Sequence, residues 1–117
     1  MSAESDLRAL LVADSPLVAL VGTRVAADRI EQSSARPFIV FSRVGSEHMQ
    51  GLNNSLHATK AIFEVQCWAD TRVSAEAVAD AVERILVAGF RAITGRASGY
   101  DAELDLEATT FSVEWWD

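Results

Sequence analysis

The sequence predicts an α+β fold, a two-layer sandwich in which helices pack on one face of a mostly antiparallel sheet. Two observations carry this prediction. Apolar residues recur at helical spacing near the N-terminus and again between residues 74 and 89. The segments between and after these helices are continuously apolar or alternate between apolar and polar residues, which is typical of strands. A mixed sheet is left open as the alternative.

The chain has 117 residues, 50% of them apolar, and no repeat, linker or low-complexity segment divides it. A single domain over residues 1–117 is expected, with a core that needs neither metal nor disulfide. The 17 acidic and 10 basic residues give a net charge of −7. Because such a surface repels phosphate, specific nucleic-acid binding is disfavoured. No apolar run is long enough to span a bilayer, so we expect no membrane contact.

Two short helices are predicted at the N-terminus. Leucines at helical spacing over residues 7–11 form the apolar side of the first helix. Ser15 is the expected N-cap of the second helix, because Pro16 then takes the first helical position, where its missing N–H costs nothing. Gly22 ends this helix, and a short extended segment follows over residues 24–27.

Two strong strands predict a long β-hairpin arm. The first strand opens after Pro37 with the continuous apolar run Phe38–Phe41, and the second covers residues 58–68. The connection 45–57 joins these strands and is expected to protrude. Four residues of the second strand share its buried face: Ala61, Phe63, Val65 and Cys67.

The next element is the most regular helix, capped by Asp70-Thr71 or by Ser74 and ending at Gly89. A strand is predicted over residues 90–94, a turn over 95–99 and a long final strand over 100–116.

In the final strand the apolar residues change phase. They occupy even positions up to Ala108 and odd positions from Phe111 onward. A period of two cannot change phase without an extra residue, so a β-bulge or a strong bend is predicted around Thr109-Thr110.

Three residues are candidates for catalysis or metal binding: His48, His57 and Cys67. Cys67 and His57 lie ten residues apart in one strand, about 33 Å, although His48 could approach from a neighbouring strand. The simpler interpretation is a buried core cysteine and two solvated loop histidines. No phosphate loop, nucleophile elbow or zinc motif occurs in the sequence. We therefore predict no enzyme, no catalytic residue, no metal site and no cofactor.

Four carboxylates alternate with apolar residues near the C-terminus: Asp101, Glu103, Asp105 and Glu107. On one strand they would share a face at a spacing of about 6.8 Å, which suits glycoside hydrolysis or a divalent cation. The alternative is the solvent face of an ordinary amphipathic strand, which this pattern favours.

Other residues suit a binding surface. Aromatic side chains on the polar sides of strands can anchor an interface, although they are simply buried if the sheet is covered on both faces. The candidates for an assembly interface lie in the arm and on the strands: Met49, Leu52, Asn53, Asn54, Trp68 and Trp116.

Four segments in order carry a resemblance over nearly the whole chain: LRALLVADSPLVALVGTRV, PFIVFSRVGSE, FEVQCWADTRVSAEAVADAVERIL and FSVEWW. They resemble the tail terminator, or tail-completion, proteins of long-tailed bacteriophages, prophages and gene transfer agents. The stretch 26–32 departs from the pattern, because it lacks the aromatic and proline residues expected there.

This resemblance implies a structural role. Such proteins form a hexameric ring that caps the tail tube, ends its polymerisation and presents a surface for head joining. The implied partners are further copies of the chain, the major tail tube protein and a head-completion or connector protein. DNA would only pass through the lumen, lined by Glu103, Asp105 and Glu107 as a hypothesis. The implied location is the host cytoplasm during assembly and then the virion tail.

Two other classes of protein stay open. Another head–tail connector or tail-tube component would share much of this patterning. A small cytosolic enzyme or ligand-binding module would instead have a polar pocket around His48, His57 or Cys67.

Overall fold

The computed structural model describes residues 3–29, 35–50, 56–89 and 91–116, and gives the backbone alone for residues 46–50 and 56–59. The elements follow in this order: α1 (Ala3–Val12), α2 (Ser15–Val21), β1 (Val25–Ala27), β2 (Phe38–Gln50), β3 (Leu56–Ala69), α3 (Arg72–Ala88), β4 (Ile93–Asp101) and β5 (Leu106–Trp116). The strands form one sheet of order β1-β2-β3-β5-β4. β1 is parallel to β2 and the other pairs are antiparallel, so the sheet is mixed. The α+β prediction is confirmed.

The core lies between one face of the sheet and the helices. The predicted inward residues of β3 are buried, with Phe63 and Val65 at 0% exposure. Phe41 of β2 meets Phe63 edge to face, with ring centroids 6.0 Å apart. The helices cover these side chains with a complementary apolar set: Leu7, Leu11, Leu17, Val21, Val78, Val82 and Leu86. Burial of apolar area at this interface is the main contribution to stability.

Asp14, and not Ser15, caps α2. Its carboxylate accepts a hydrogen bond from the Leu17 N–H at 3.0 Å. The same carboxylate forms an ion pair with Arg84 of α3 at 2.8 Å. The hydrogen bond from Arg84 holds the pKa of Asp14 below its ordinary value. One side chain therefore both starts α2 and ties it to α3.

Thr71 caps α3, accepting a hydrogen bond from the Ser74 N–H at 3.2 Å. The predicted cap at Asp70-Thr71 is therefore confirmed, and the alternative cap at Ser74 is wrong. Gly89 ends the helix as predicted, with its N–H directed to the carbonyls of the last turn.

The predicted layout of the C-terminal strands is wrong in two respects. Residues 95–99 belong to β4, and the turn lies at residues 102–105. Gly95 looks like a turn residue because it has a φ of 69°, but it lies in a bulge of β4 between Thr94 and Ala97.

β5 contains no bulge at Thr109-Thr110, because its pairing with β3 is continuous from Glu107 to Trp116. The change of phase has another cause. Leu106 and Ala108 are buried on the face opposite the helices, whereas Thr109 and Phe111 are buried beneath them.

The arm is confirmed in the backbone. β5 ends at Trp116, opposite Lys60 of β3. Pairing between β2 and β3 continues beyond this point to Gln50 and Leu56, so a two-stranded ribbon extends past the body. The molecule is accordingly elongated, with extents of 52 × 29 × 23 Å.

Thr109 is expected to tolerate the loss of its hydroxyl group without a loss of stability. Its side chain is fully buried, and its Oγ1 has no hydrogen-bond partner among the described residues. Because an unpaired buried hydroxyl destabilises the folded state, Thr109→Val should leave the free energy of unfolding unchanged or raise it by up to about 1 kcal/mol. Urea denaturation measures this difference.

The matched control is the reverse change on the same strand, Val113→Thr, which should cost about 1–3 kcal/mol. A loss of more than about 1 kcal/mol in Thr109→Val would show that the hydroxyl has a partner after all.

Candidate assembly surface

The face of the sheet opposite the helices carries a fixed tryptophan. The Trp68 Nε1 donates to Gln66 Oε1 at 3.1 Å, and the Gln66 amide donates in turn to Glu64 Oε1 at 2.8 Å. Phe38 packs edge-on against the indole, with centroids 6.5 Å apart. Trp68 is partly buried by these contacts. The indole is therefore held in place but keeps part of its surface accessible.

Trp116 lies on the same face at the other end of the sheet. It is 43% exposed, the ammonium of Lys60 lies 5.7 Å from its ring centroid, and Lys60 also pairs with Glu114 at 3.2 Å. Since Trp116 pairs with Lys60, eight residues from Trp68 along β3, the two indoles are separated by about 26 Å. This face thus offers one aromatic contact at each end.

The remaining predicted interface residues lie in the arm. Met49 belongs to β2, where its backbone pairs with Ala58 of β3. Leu52, Asn53 and Asn54 lie outside the described residues. A role of the arm in assembly stays a prediction.

The four carboxylates near the C-terminus do not share one face of a strand. Asp101 ends β4, Glu103 and Asp105 lie in the turn, and Glu107 is in β5. The prediction that all four carboxylates alternate along one strand and share a face is therefore wrong. The position of Glu103, Asp105 and Glu107 at a lumen stays a prediction.

Asp101 closes this turn with its side chain. Its Oδ1 accepts from the N–H groups of Glu103 and Leu104, at 3.0 and 3.1 Å. Asp105 adopts a φ of 54°, which aspartate tolerates better than most residues. An acidic turn without glycine or proline forms in this way.

A shallow groove of about 300 Å³ lies beside the turn. Its walls are Trp68 and the stretch Ala97–Asp101, and its floor includes Ala108 and Thr110. The small residues leave the space open, since nothing lies within 4 Å of a Cβ placed on Gly99. These lining residues include no histidine, cysteine or lysine, so they contain no Ser–His or Cys–His pair.

The candidate catalytic residues do not come together. Cys67 is buried, and burial raises the pKa of its thiol to about 12. His48 pairs with Thr59, eight residues from Cys67 along β3 and thus about 26 Å away. His57 is two residues farther along the same strand. The suggestion that His48 could approach Cys67 is therefore wrong.

Over the described ranges, no group of three or more His, Cys, Asp or Glu side chains is placed to hold a metal ion. In the same part of the chain, no helix has the length and apolar character needed to cross a membrane.

A model of the tail completion protein gp17 family matches residues 5–116. The chain belongs to this family. The resemblance to tail-completion proteins is confirmed, and the chain is a structural protein of a bacteriophage-type tail. Membership of a structural family also favours an assembly role over a catalytic one.

The fold has a close counterpart among solved structures. A chain of "Virion of native gene transfer agent (GTA) particle" aligns with this family member at a TM-score of 0.77 and 18% sequence identity, covering 97% of this chain and 92% of that chain. At this identity the similarity concerns the fold. No curated protein matches the sequence.

The buried thiol gives a direct chemical prediction. Since the thiolate is the reactive form and Cys67 has a pKa near 12, the native protein should resist a thiol-specific reagent at about pH 8. Labelling followed by mass measurement should detect modification only after urea is added. Rapid labelling of the native protein would contradict the burial of Cys67.

The single tyrosine of the chain, Tyr100, lies in β4 just before the acidic turn. Its hydroxyl donates to Asp105 at 2.6 Å, and this bond raises the pKa of Tyr100 above its ordinary value of 10.0 because it stabilises the neutral phenol. Asp105→Asn should therefore lower the pKa of Tyr100, as measured by phenolate absorbance during an alkaline titration. Asp28→Asn, at the opposite edge of the sheet, serves as the control and should leave that titration unchanged.

Proposed function

We propose that this protein is a tail terminator: it caps the tail tube as a hexameric ring, ends polymerisation of the tube and provides the surface for head joining. The match of residues 5–116 to the tail completion family carries the proposal. Its partners are further copies of the chain, the major tail tube protein and a head-completion or connector protein. Assembly takes place in the host cytoplasm, and DNA passes through the ring without specific binding.

The shape of the molecule supports a role in assembly. A ribbon of two paired strands reaches beyond the body, and it can contact a neighbouring subunit or the tube while the core stays intact. The core cluster formed by the described side chains lies between the sheet and the helices of the body.

The outer face of the sheet supports the same proposal. Trp68 is held rigidly by Gln66 and Phe38, so little side-chain entropy is lost when a partner covers it. Trp116 is exposed at the other end of the face. Rigid aromatic side chains of this kind often supply much of the energy of an interface.

The test is electron microscopy of particles made with and without the gene. Without the gene we expect overlong tubes that lack heads, and addition of the purified protein should restore tails of normal length joined to heads. Normal tails joined to heads would reject the proposal. Tails of normal length without heads would favour a connector that acts only in head joining.

The arm can be tested in the same assay. Replacing residues 49–58 with Asn-Gly joins His48 to Thr59 by a two-residue hairpin turn and keeps every residue of the described core cluster. This variant should keep its circular dichroism spectrum but fail to restore normal tails, because it lacks the contacting ribbon.

The control variants are full-length proteins with His48→Ala, His57→Ala or Cys67→Ala. An assembly protein should tolerate them, whereas an enzyme that uses these residues should lose function. Full rescue by the shortened arm would show that the arm takes no part in termination.

A further inference from the structure

The β4 edge of the sheet carries carboxylates that lack a cationic partner. Glu76 faces Ser98 of β4, with a hydrogen bond of 3.4 Å, and Asp101, Glu103 and Asp105 follow in the turn. Among the described residues, no lysine, arginine or histidine lies within ion-pair distance of these four side chains. We call Glu76, Asp101, Glu103 and Asp105 the acidic edge.

The one arginine of β4 does not neutralise this group. Arg96 pairs with Asp80 at 2.8 Å and with Glu83 at 3.1 Å, both on α3. Its charge is therefore compensated locally, and the acidic edge keeps its full excess of negative charge.

The opposite edge of the sheet has the reverse charge. Arg8 of α1 donates to the carbonyl of Val25 in β1 at 2.9 Å, and Arg24 donates to the carbonyl of Pro37 at 3.0 Å. Arg29 follows β1 and is exposed. Over the described part of the chain, none of these arginines has a carboxylate within ion-pair distance. We call Arg8, Arg24 and Arg29 the basic edge; the nearby Asp28 reduces its charge without cancelling it.

Arg8 and Arg24 of the basic edge lie near the level of the acidic edge along the strands, whereas Arg29, two residues after Ala27, lies nearer the arm. Val25 pairs with Ile39, and the row continues across the sheet through Cys67 and Thr109 to Ser98. One residue farther toward the end without the arm, Arg24 is level with Gly99. Asp101 is two residues beyond Gly99 in the same direction, or about 7 Å.

The two edges cannot neutralise each other within one molecule. They are separated by four strand spacings, about 19 Å, with the sheet between them. A second copy placed beside the first in the same orientation brings the basic edge of one against the acidic edge of the other. In that arrangement β1 of one copy runs antiparallel to β4 of the next.

We propose that the basic edge of one copy binds the acidic edge of the next, so that this chain associates head to tail through opposite edges of its sheet. Such a heterologous contact closes into a ring when the rotation between neighbours allows it. This contact would join the subunits of the proposed ring, and in that respect it rests on the proposed function. The evidence for the contact itself is the charge and the position of these residues.

The test uses two variants of the full chain in which the charge of one edge is altered. The first changes the acidic edge by Glu76→Lys and Glu103→Lys, and it keeps the two aspartates because they hold the turn and Tyr100. The second changes the basic edge by Arg8→Glu and Arg29→Glu, and it keeps Arg24 and its bond to Pro37. Circular dichroism confirms that each variant is folded.

Self-association is measured by sedimentation velocity at low salt, up to about 1 mM protein, so that even a weak contact is detected. The unchanged protein should self-associate, and added salt should weaken this association because it screens the charges at the contact. Each variant alone should associate at least about tenfold more weakly. In the first variant two lysines offset the two remaining aspartates, so the attraction is lost, and in the second variant two glutamates outweigh Arg24, so like charges meet. Val87→Lys, at an exposed position in the last turn of α3 that belongs to neither edge, should associate like the unchanged protein.

Mixing the two variants gives the decisive result. The unchanged basic edge of the first variant then meets the unchanged acidic edge of the second, so the mixture should form the pair that neither variant forms alone. Monomers of the unchanged protein throughout the concentration range would overturn the proposal. So would variants that associate normally, or a mixture of folded variants that stays dissociated.

The results of this association test can be distinguished from those of the tail assay that tests the proposed function. If tails form normally without the gene but the variants behave as expected, the terminator role fails and the edge contact stands. If the tails are overlong without the gene but Glu76→Lys with Glu103→Lys associates normally, the terminator role stands and the edge contact fails. That second result is also the one expected if Glu103 lines a lumen instead of a subunit contact.

Discussion

The fold depends on the alternation of β3, the central strand, which is paired on both sides over most of its length. A strand turns every second side chain to the same face, so Phe63, Val65 and Cys67 all point to the helices and require them as cover. The other half of the strand must then point outward. Glu64, Gln66 and Trp68 form the outer face for this geometric reason, and their hydrogen bonds to one another fix what they present.

Most of the fold could be predicted where the sequence carries a strong period. The stripe of α3 and the alternation of β3 are regular because each of these elements buries a single face. The C-terminal strands are harder because β4 is exposed along nearly its whole length and has no apolar period. Gly95 also has the character of a turn residue, but it accommodates a bulge, while the real turn is closed by the carboxylate of Asp101.

The candidate surface could be predicted only in part. The positions of Trp68 and Trp116 on outward faces follow from alternation within single strands. Their shared face, and the segregation of charge to opposite edges, depend on which strands are neighbours. The arginines of the basic edge are scattered along the sequence, and Glu76 of the acidic edge lies far from Asp101, Glu103 and Asp105. Only the strand order β1-β2-β3-β5-β4 collects each group on its own side.

The hydrogen bond from Arg8 to the Val25 carbonyl protects the edge of β1 before the chain meets any partner. A bare strand edge is a template on which further strands can add, and repeated addition produces fibrils. The guanidinium occupies a backbone acceptor that an incoming strand would need, and β1 itself is only three residues long. At the other border, the bulge at Gly95 and the tether from Arg96 to α3 distort the start of β4. Both borders of the sheet thus carry features that oppose the addition of further strands.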